Sequence, residues 1–339
     1  MTGSWWRILT GSGWRLAVLA AFALRPAAPQ TLPVLLGLDA YVPAPESNPL
    51  KPERVEVGKA LFHFRGLSAD RSLSCAGCHQ PERAFTDGRS QATGVRGQVI
   101  GRRTPPLINR AWGKSFFWDG RAASLEDQVL QPVLNPKEMG LSLEEITRRV
   151  REDEVLRAQM QSAFGREVTL EDIQLALASY VRSILSGDSP YDRFVAGDVS
   201  ALDEQQKWGL KLFRGKANCV ACHVGVNFTD ERFHNTGTGW RDGRWLDQGR
   251  AGITGRAEDR GAFKTPGLRE VARTAPYMHD GSLKTLEEVI DFYDQGGREN
   301  PNLDTEIRKL GLTLEEKRAL VAFLHSLSGK VREGWPGAP

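Results

Sequence analysis

Cys75-Ala76-Gly77-Cys78-His79 and, far downstream, Cys219-Val220-Ala221-Cys222-His223 decide how this chain is read. They are two copies of one signature, and together they use all 4 cysteines of the 339 residues. The chemistry sets the spacing. Two thiols separated by two residues can each add to one vinyl group of the same porphyrin, and the adjacent histidine then reaches the iron from below. Each copy implies one covalently bound haem c with a proximal histidine, His79 or His223. Cys-x-x-Cys pairs also build zinc sites and redox dithiols. Here the pairs lie too far apart for a short zinc ribbon, and a dithiol requires no histidine after its second cysteine, so both of those readings are weaker.

Haem c is attached outside the reducing cytosol, so an export signal is expected. Arg7 and Arg15 supply a positive segment, residues 16–24 (LAVLAAFAL) a short apolar run, and Pro26, Ala27, Ala28 and Pro29 a small-residue boundary. The run falls short of the roughly 20 apolar residues of a membrane-spanning helix. The sequence therefore predicts a signal peptide over residues 1–29, a mature chain that is not membrane-embedded, and a periplasmic location. A retained anchor that recruits Trp5, Trp6 and Leu9 is the alternative. The formal net charge of +3 is small and spread along the chain, which gives no case for a nucleic-acid partner.

The organisation repeats. Gly58-Lys59-Ala60-Leu61-Phe62 precedes the first signature and Gly209-Leu210-Lys211-Leu212-Phe213 the second, each as the end of an amphipathic helix. A second helix follows each haem region, from Thr169 through Tyr180 to Gly187 and from Thr313 through Phe323 to Gly329. Both have a threonine cap, early acids and an apolar stripe of helical period. Strand signals are weak throughout. The fold class is all-α: two cytochrome-c-like helical domains, residues 30–195 and 196–339, each wrapping one covalent haem. Pro190 and Gly197 are expected to interrupt helix at the junction. Residues 86–113 and 235–265 form long loops rich in glycine and arginine, of the kind that wraps a cofactor.

Several segments resemble the bacterial dihaem cytochrome c peroxidase family, including its MauG-type branch, over nearly the whole mature chain. They are Leu67-Ser68, Ser74-Cys75-Ala76, Phe116-Phe117-Trp118-Asp119-Gly120-Arg121, Glu138-Met139, Thr265-Pro266-Gly267-Leu268-Arg269 and Ala275-Pro276-Tyr277-Met278-His279-Asp280-Gly281. The resemblance implies that the first haem is peroxidatic and the second holds or passes the other oxidising equivalent. It makes Trp118 the ring between the haems, Gln128 and Glu138 the distal glutamine and acid, and Pro132 a residue that lines the distal pocket. A carboxylate there suits peroxide cleavage, because burial raises its pKa toward the working pH and lets it carry the proton.

Two departures from the conventional pattern point to the branch. Conventional members keep a histidine that caps the peroxidatic iron, whereas residues 80–117 contain none, so the His79 haem should be open without prior reduction. Where those members place a methionine ligand for the second haem, this chain has Tyr293, as MauG-type relatives do. A phenolate stabilises higher iron oxidation states than a thioether does. Met278 is the competing ligand.

The remaining histidines are less telling. His63 and His325 are expected to be structural, and His234 and His279 to bond propionates or other groups beside the second haem. The family also implies a calcium ion between the domains, held by backbone carbonyls and one asparagine. The matching position is Arg103, and a cation is unfavourable there. The function expected is a peroxidase that uses hydrogen peroxide to oxidise a periplasmic protein partner. Conventional peroxide reduction with electrons from a small cytochrome or copper protein is the alternative, and a non-catalytic dihaem electron carrier the third reading.

Overall fold

The sequence repeat is a structural repeat. Helix Pro52–His63 packs along helix Leu170–Arg182, and helix Glu204–Arg214 packs in the same way along helix Leu314–His325. Each pair is brought close by one glycine. A Cβ on Gly58 would lie 2.0 Å from the Ala176 carbonyl oxygen, and one on Gly209 would lie 1.9 Å from that of Ala319. With no side chain at the crossing the backbones touch, and the next turn packs Phe62 against Tyr180 and Phe213 against Phe323 in tilted pairs, with ring centroids 4.9 and 5.1 Å apart.

The computed structural model describes residues 31–337, so the expected signal over residues 1–29 lies outside the described residues. No helix among the described residues is long and apolar enough to cross a membrane. Two hydrophobic cores follow from the two helix pairs. Leu61, Phe62, Ile173, Leu177 and Tyr180 centre the first, and Leu212, Phe213, Leu320, Phe323 and Leu324 the second. The C-terminal tail returns to the first core: Val331 and Trp335 pack against it, and the Tyr180 hydroxyl donates to Glu333.

Both threonine caps form as expected, in capping boxes that pair Thr169 with Asp172 and Thr313 with Glu316. The helices end earlier than the sequence suggests. Past Arg182 the chain extends into a strand, Leu185–Gly187, that pairs antiparallel with Lys330–Arg332. Pro190 also behaves differently from expectation. It starts helix Pro190–Val195 at the first turn, where its missing N–H costs nothing, and Ser189 and Asp192 form a capping box. The remaining ladders are two-residue strands, Phe233–His234 with Phe263–Lys264 and Trp240–Arg241 with Arg244–Trp245. The loops 86–113 and 235–265 hold only such strands and helices of three or four residues.

Gly58→Ala should shift the helix pair and cost about 1–3 kcal/mol, as overpacking does, and Gly209→Ala should do the same in the second core. Thermal unfolding followed by circular dichroism would show the lowered midpoints. An unchanged midpoint would mean that the close crossing is not needed.

Candidate functional site

The two signatures build similar turns, α-helical in the first and 3₁₀ over Cys219–Ala221 in the second. Cys75–Cys78 is one helical turn, and the His79 N–H closes it on the Cys75 carbonyl at 2.8 Å. The His79 Nδ1 lies 2.9 Å from the Phe85 carbonyl oxygen, and the His223 Nδ1 lies 2.8 Å from that of Phe228. A neutral imidazole that donates from Nδ1 keeps Nε2 as its ligating atom. Burial lowers the pKa of both histidines and so favours the neutral ring. All four cysteines are free, and burial pushes the Cys75 and Cys219 thiols up to about 12. A redox dithiol needs a depressed thiol pKa, so that reading gains nothing.

A cavity of about 230 Å³ opens over Cys75, Cys78 and His79, and one of about 200 Å³ over Cys219, Cys222 and His223. Two thiols, a neutral histidine with its Nε2 free, and apolar walls are the donor set and lining that haem c requires, so the residues fit it at both places.

The first cavity collects the residues expected on its distal side: Trp118, Gln128, Pro132 and Glu138 all line it together with His79. Glu138 is half-buried. Burial raises its pKa, against the Asn135 hydrogen bond and the Arg121 charge, which lower it. Asn135 Nδ2 donates to Glu138 Oε1 at 2.8 Å. The backbone of Glu138 is fixed as well, with its N–H on the Asn135 carbonyl at 2.9 Å and its carbonyl accepting from Val95 N–H at 2.8 Å. Sequence reasoning missed Asn135. The turn it starts, Asn135-Pro136-Lys137-Glu138, was the available signal.

The second cavity is lined by Tyr293, Met278 and His279 as well as His223. Burial pushes the Tyr293 phenol above its ordinary range, and the nearby Cys219 and Cys222 add to the effect. Each cavity is flanked by a turn of the same form. Phe116 bridges Ala122 and Tyr277 bridges Leu283; Phe117 and Met278 both have φ +67°, and Gly120 and Gly281 follow at +68° and +64°. Trp118 and His279 therefore occupy equivalent places. Fourteen residues beyond each stand Pro132 and Tyr293, a ring that offers iron no ligand and a phenol that does.

Between the cavities lies a shared wall, in which Arg103, Pro106, Trp118, Lys264 and Thr265 line both. Trp118 is buried and held at both ends. Its Nε1 donates to the Arg103 carbonyl at 3.0 Å, and its carbonyl accepts from Lys264 N–H at 2.9 Å. The Lys264 ammonium is itself paired with buried Glu231. Nothing in the sequence pattern marked that pair, because its members lie on different loops.

His63 and His325 are both exposed at helix C-termini. His279 is buried against Phe263, with ring centroids 3.5 Å apart, and burial lowers its pKa to about 4. His234 bonds Asp304 at 2.6 Å and Asp230 at 2.9 Å. Cys222, Asp230 and His234 are the one cluster among the described residues with metal-ligand spacing. Its thiol belongs to the second signature, so the cluster is part of that site.

Residues 52–200 match the family model for di-haem cytochrome c peroxidase. Over 291 residues the chain is 42% identical to the methylamine utilization protein MauG of Methylorubrum extorquens, covering 85% of this chain and 82% of that protein. It is 35% identical over 314 residues to the cytochrome-c peroxidase IdrP2 of Denitromonas iodatirespirans, covering 84% of each. The fold matches the crystal structure of a MauG-like protein associated with microbial copper homeostasis at a TM-score of 0.79 and 34% identity, over 91% of this chain and 96% of that one.

If Tyr293 ligates the second haem iron, Tyr293→Phe should convert one low-spin ferric EPR signal to high-spin, while Met278→Leu should leave the spectrum unchanged. The reverse pattern would assign the ligand to Met278.

Proposed function

From a chain that belongs to the di-haem cytochrome c peroxidase family, and is thus a haem-dependent oxidoreductase acting on peroxide, we infer a MauG-like periplasmic enzyme that uses hydrogen peroxide to oxidise a protein partner. The observation that carries this reading is the shared wall. Trp118 lines a cavity containing Glu138 and an equivalent cavity containing Tyr293. In this reading both haems are covalently attached haem c, one in each of two domains that divide near residue 195, and the chain is exported by its N-terminal signal.

When bound, each haem supplies an iron that can exchange electrons with peroxide and hold an oxidising equivalent. The protein does the rest. His79 is the only histidine lining the first cavity among the described residues, which leaves its distal side to peroxide. Pro132 narrows that side without closing it. Asn135 holds Glu138 Oε1, so Oε2 is the atom that takes the peroxide proton and returns it to the departing oxygen, which leaves as water. Gln128, on helix Leu125–Val129, orients peroxide beside it. Two electrons and two protons complete the reduction of peroxide to two waters. The electrons come from the partner, by way of the second site and the Trp118 ring, whose fixed position between the cavities suits it to relay them. Oxidation of tryptophan or tyrosine side chains on that partner is the favoured outcome. The similarity to cytochrome-c peroxidase IdrP2 favours a second reading, in which a small cytochrome or copper protein supplies the electrons.

Glu138→Gln should lower peroxide turnover by about 10²–10⁴-fold, the usual value of a positioned acid-base group. Because burial raises the Glu138 pKa, the acid limb of the wild-type rate should lie above the ordinary carboxylate range of about 4.3. Turnover falls as pH drops through that limb, since a protonated carboxyl cannot take the proton. The limb should vanish in Glu138→Gln, and a variant that keeps rate and limb would remove the residue from the chemistry.

The fully ferric protein should react with stoichiometric hydrogen peroxide in the absence of reductant, with loss of both ferric EPR signals. Two low-spin haems that ignore peroxide until half-reduced would instead identify a conventional cytochrome c peroxidase.

A further inference from the structure

Arg103 is a buried cation without an anion. It is 5% exposed, and its Nη2 donates to the Thr274 carbonyl at 2.6 Å. Nε and Nη1 have no partner among the described residues, and no carboxylate there lies within ion-pair distance of the guanidinium. The other cations beside it, Arg102 in the first cavity and Lys264 in the wall, are arranged differently. Arg102 is held by Asp119 and Asp247, both at 2.7 Å, and Lys264 by Glu231. Asp87 is felt by Arg103 but is committed elsewhere, accepting from Thr104 Oγ1 and Arg89 N–H, each at 3.0 Å. Burial lowers the Arg103 pKa to about 10, as expected of a guanidinium with little compensation.

A buried charge of this kind is costly unless something pairs with it. Arg103 lines both cavities, and the anionic groups of a haem are its propionate carboxylates. A guanidinium presents its donors in a fork that matches carboxylate geometry. Calcium does not fit the same place. It needs oxygen ligands, whereas the Arg103 side chain brings only N–H groups and already occupies the Thr274 carbonyl with one of them, and its backbone carbonyl is taken by Trp118.

We propose that Arg103 is the built-in cation of the wall between the haems: its guanidinium pairs with haem propionate and takes the place that the family resemblance gives to a calcium ion. Its backbone carbonyl anchors Trp118 at the same time, so one residue fixes the relay ring and neutralises the propionate edge. The proposal rests on the two-haem reading.

The test uses the haem-loaded protein. After desalting, elemental analysis should find no stoichiometric calcium, and neither EGTA nor added calcium should change the EPR spectrum or the two haem midpoint potentials. Arg103→Met removes a positive charge that favours the ferrous state, so it should lower at least one midpoint potential. Arg103→Lys should keep the potentials near wild type. Bound calcium whose removal shifts the haem signals would overturn the proposal, and so would unchanged potentials in Arg103→Met. If Arg103→Met fails to load haem, the wild-type calcium content and response to EGTA still decide. A pyridine haemochromogen count below two haems per chain would overturn the two-haem reading itself, whereas a full count with bound calcium would overturn only the role of Arg103.

Discussion

The two cavities share one wall, and the position of Trp118 in it is the constraint on which the proposed relay of electrons depends. An aromatic ring can relay electrons between two sites only if it is held at a fixed place between them. Here the indole N–H is bonded to Arg103 and the backbone carbonyl to Lys264, so the ring is fixed by one residue from each half of the chain. Arg102 adds a second tie across the same boundary, bonding Asp119 of the first half and Asp247 of the second. Arg269 adds a third, a fully buried pair with Asp192 at 2.8 Å. Buried ion pairs contribute little net stability when weighed against apolar replacements, but breaking one is costly. Their value at this boundary is that they penalise any sliding of one half past the other.

The same wall shows why the two halves are built on one plan. Each uses a glycine crossing to bring two helices together, a signature turn to present cysteines and histidine, and a histidine Nδ1 bonded to a phenylalanine carbonyl. Such a plan gives similar geometry at two sites, so the chemical difference between them rests on few positions. Trp118 answers to His279 and Pro132 to Tyr293. With a proline at one place and a phenol at the other, only the second cavity has a side chain there that could serve as an iron ligand.

Much of this was legible in the sequence because its signals are local. The signatures, the glycine-containing helix ends, and the capping boxes at Thr169 and Thr313 each depend on residues within one or two turns. Helix ends were harder to place. Whether the chain leaves helix at Arg182 or nearer Gly187 depends on a strand partner about 145 residues away, Lys330–Arg332. The supporting polar groups were hardest. Glu231 and Lys264 lie on separate loops, and their pairing depends on how those loops fold over the wall. Asn135 stands between these cases: its turn chemistry is visible locally, but its hold on Glu138 matters only once that carboxylate lies in the cavity.

The distal carboxylate also shows how the repeat was broken. Glu299 stands six residues after Tyr293, as Glu138 stands six after Pro132, yet Glu299 is exposed and Glu138 is half-buried. The difference lies in what covers them. Gly94 admits the backbone of Lys137 and Glu138 so closely that a Cβ on it would lie 1.9 Å from the Lys137 carbonyl oxygen, and Val95 donates to the Glu138 carbonyl. The first-half loop thus presses the acid toward the cavity. Burial then raises its pKa, while the Asn135 hydrogen bond opposes the rise by stabilising the charged form. For the acid-base role proposed for Glu138 such a balance is an advantage, because a group that must both take a proton and return it is served poorly by full burial or by full solvation.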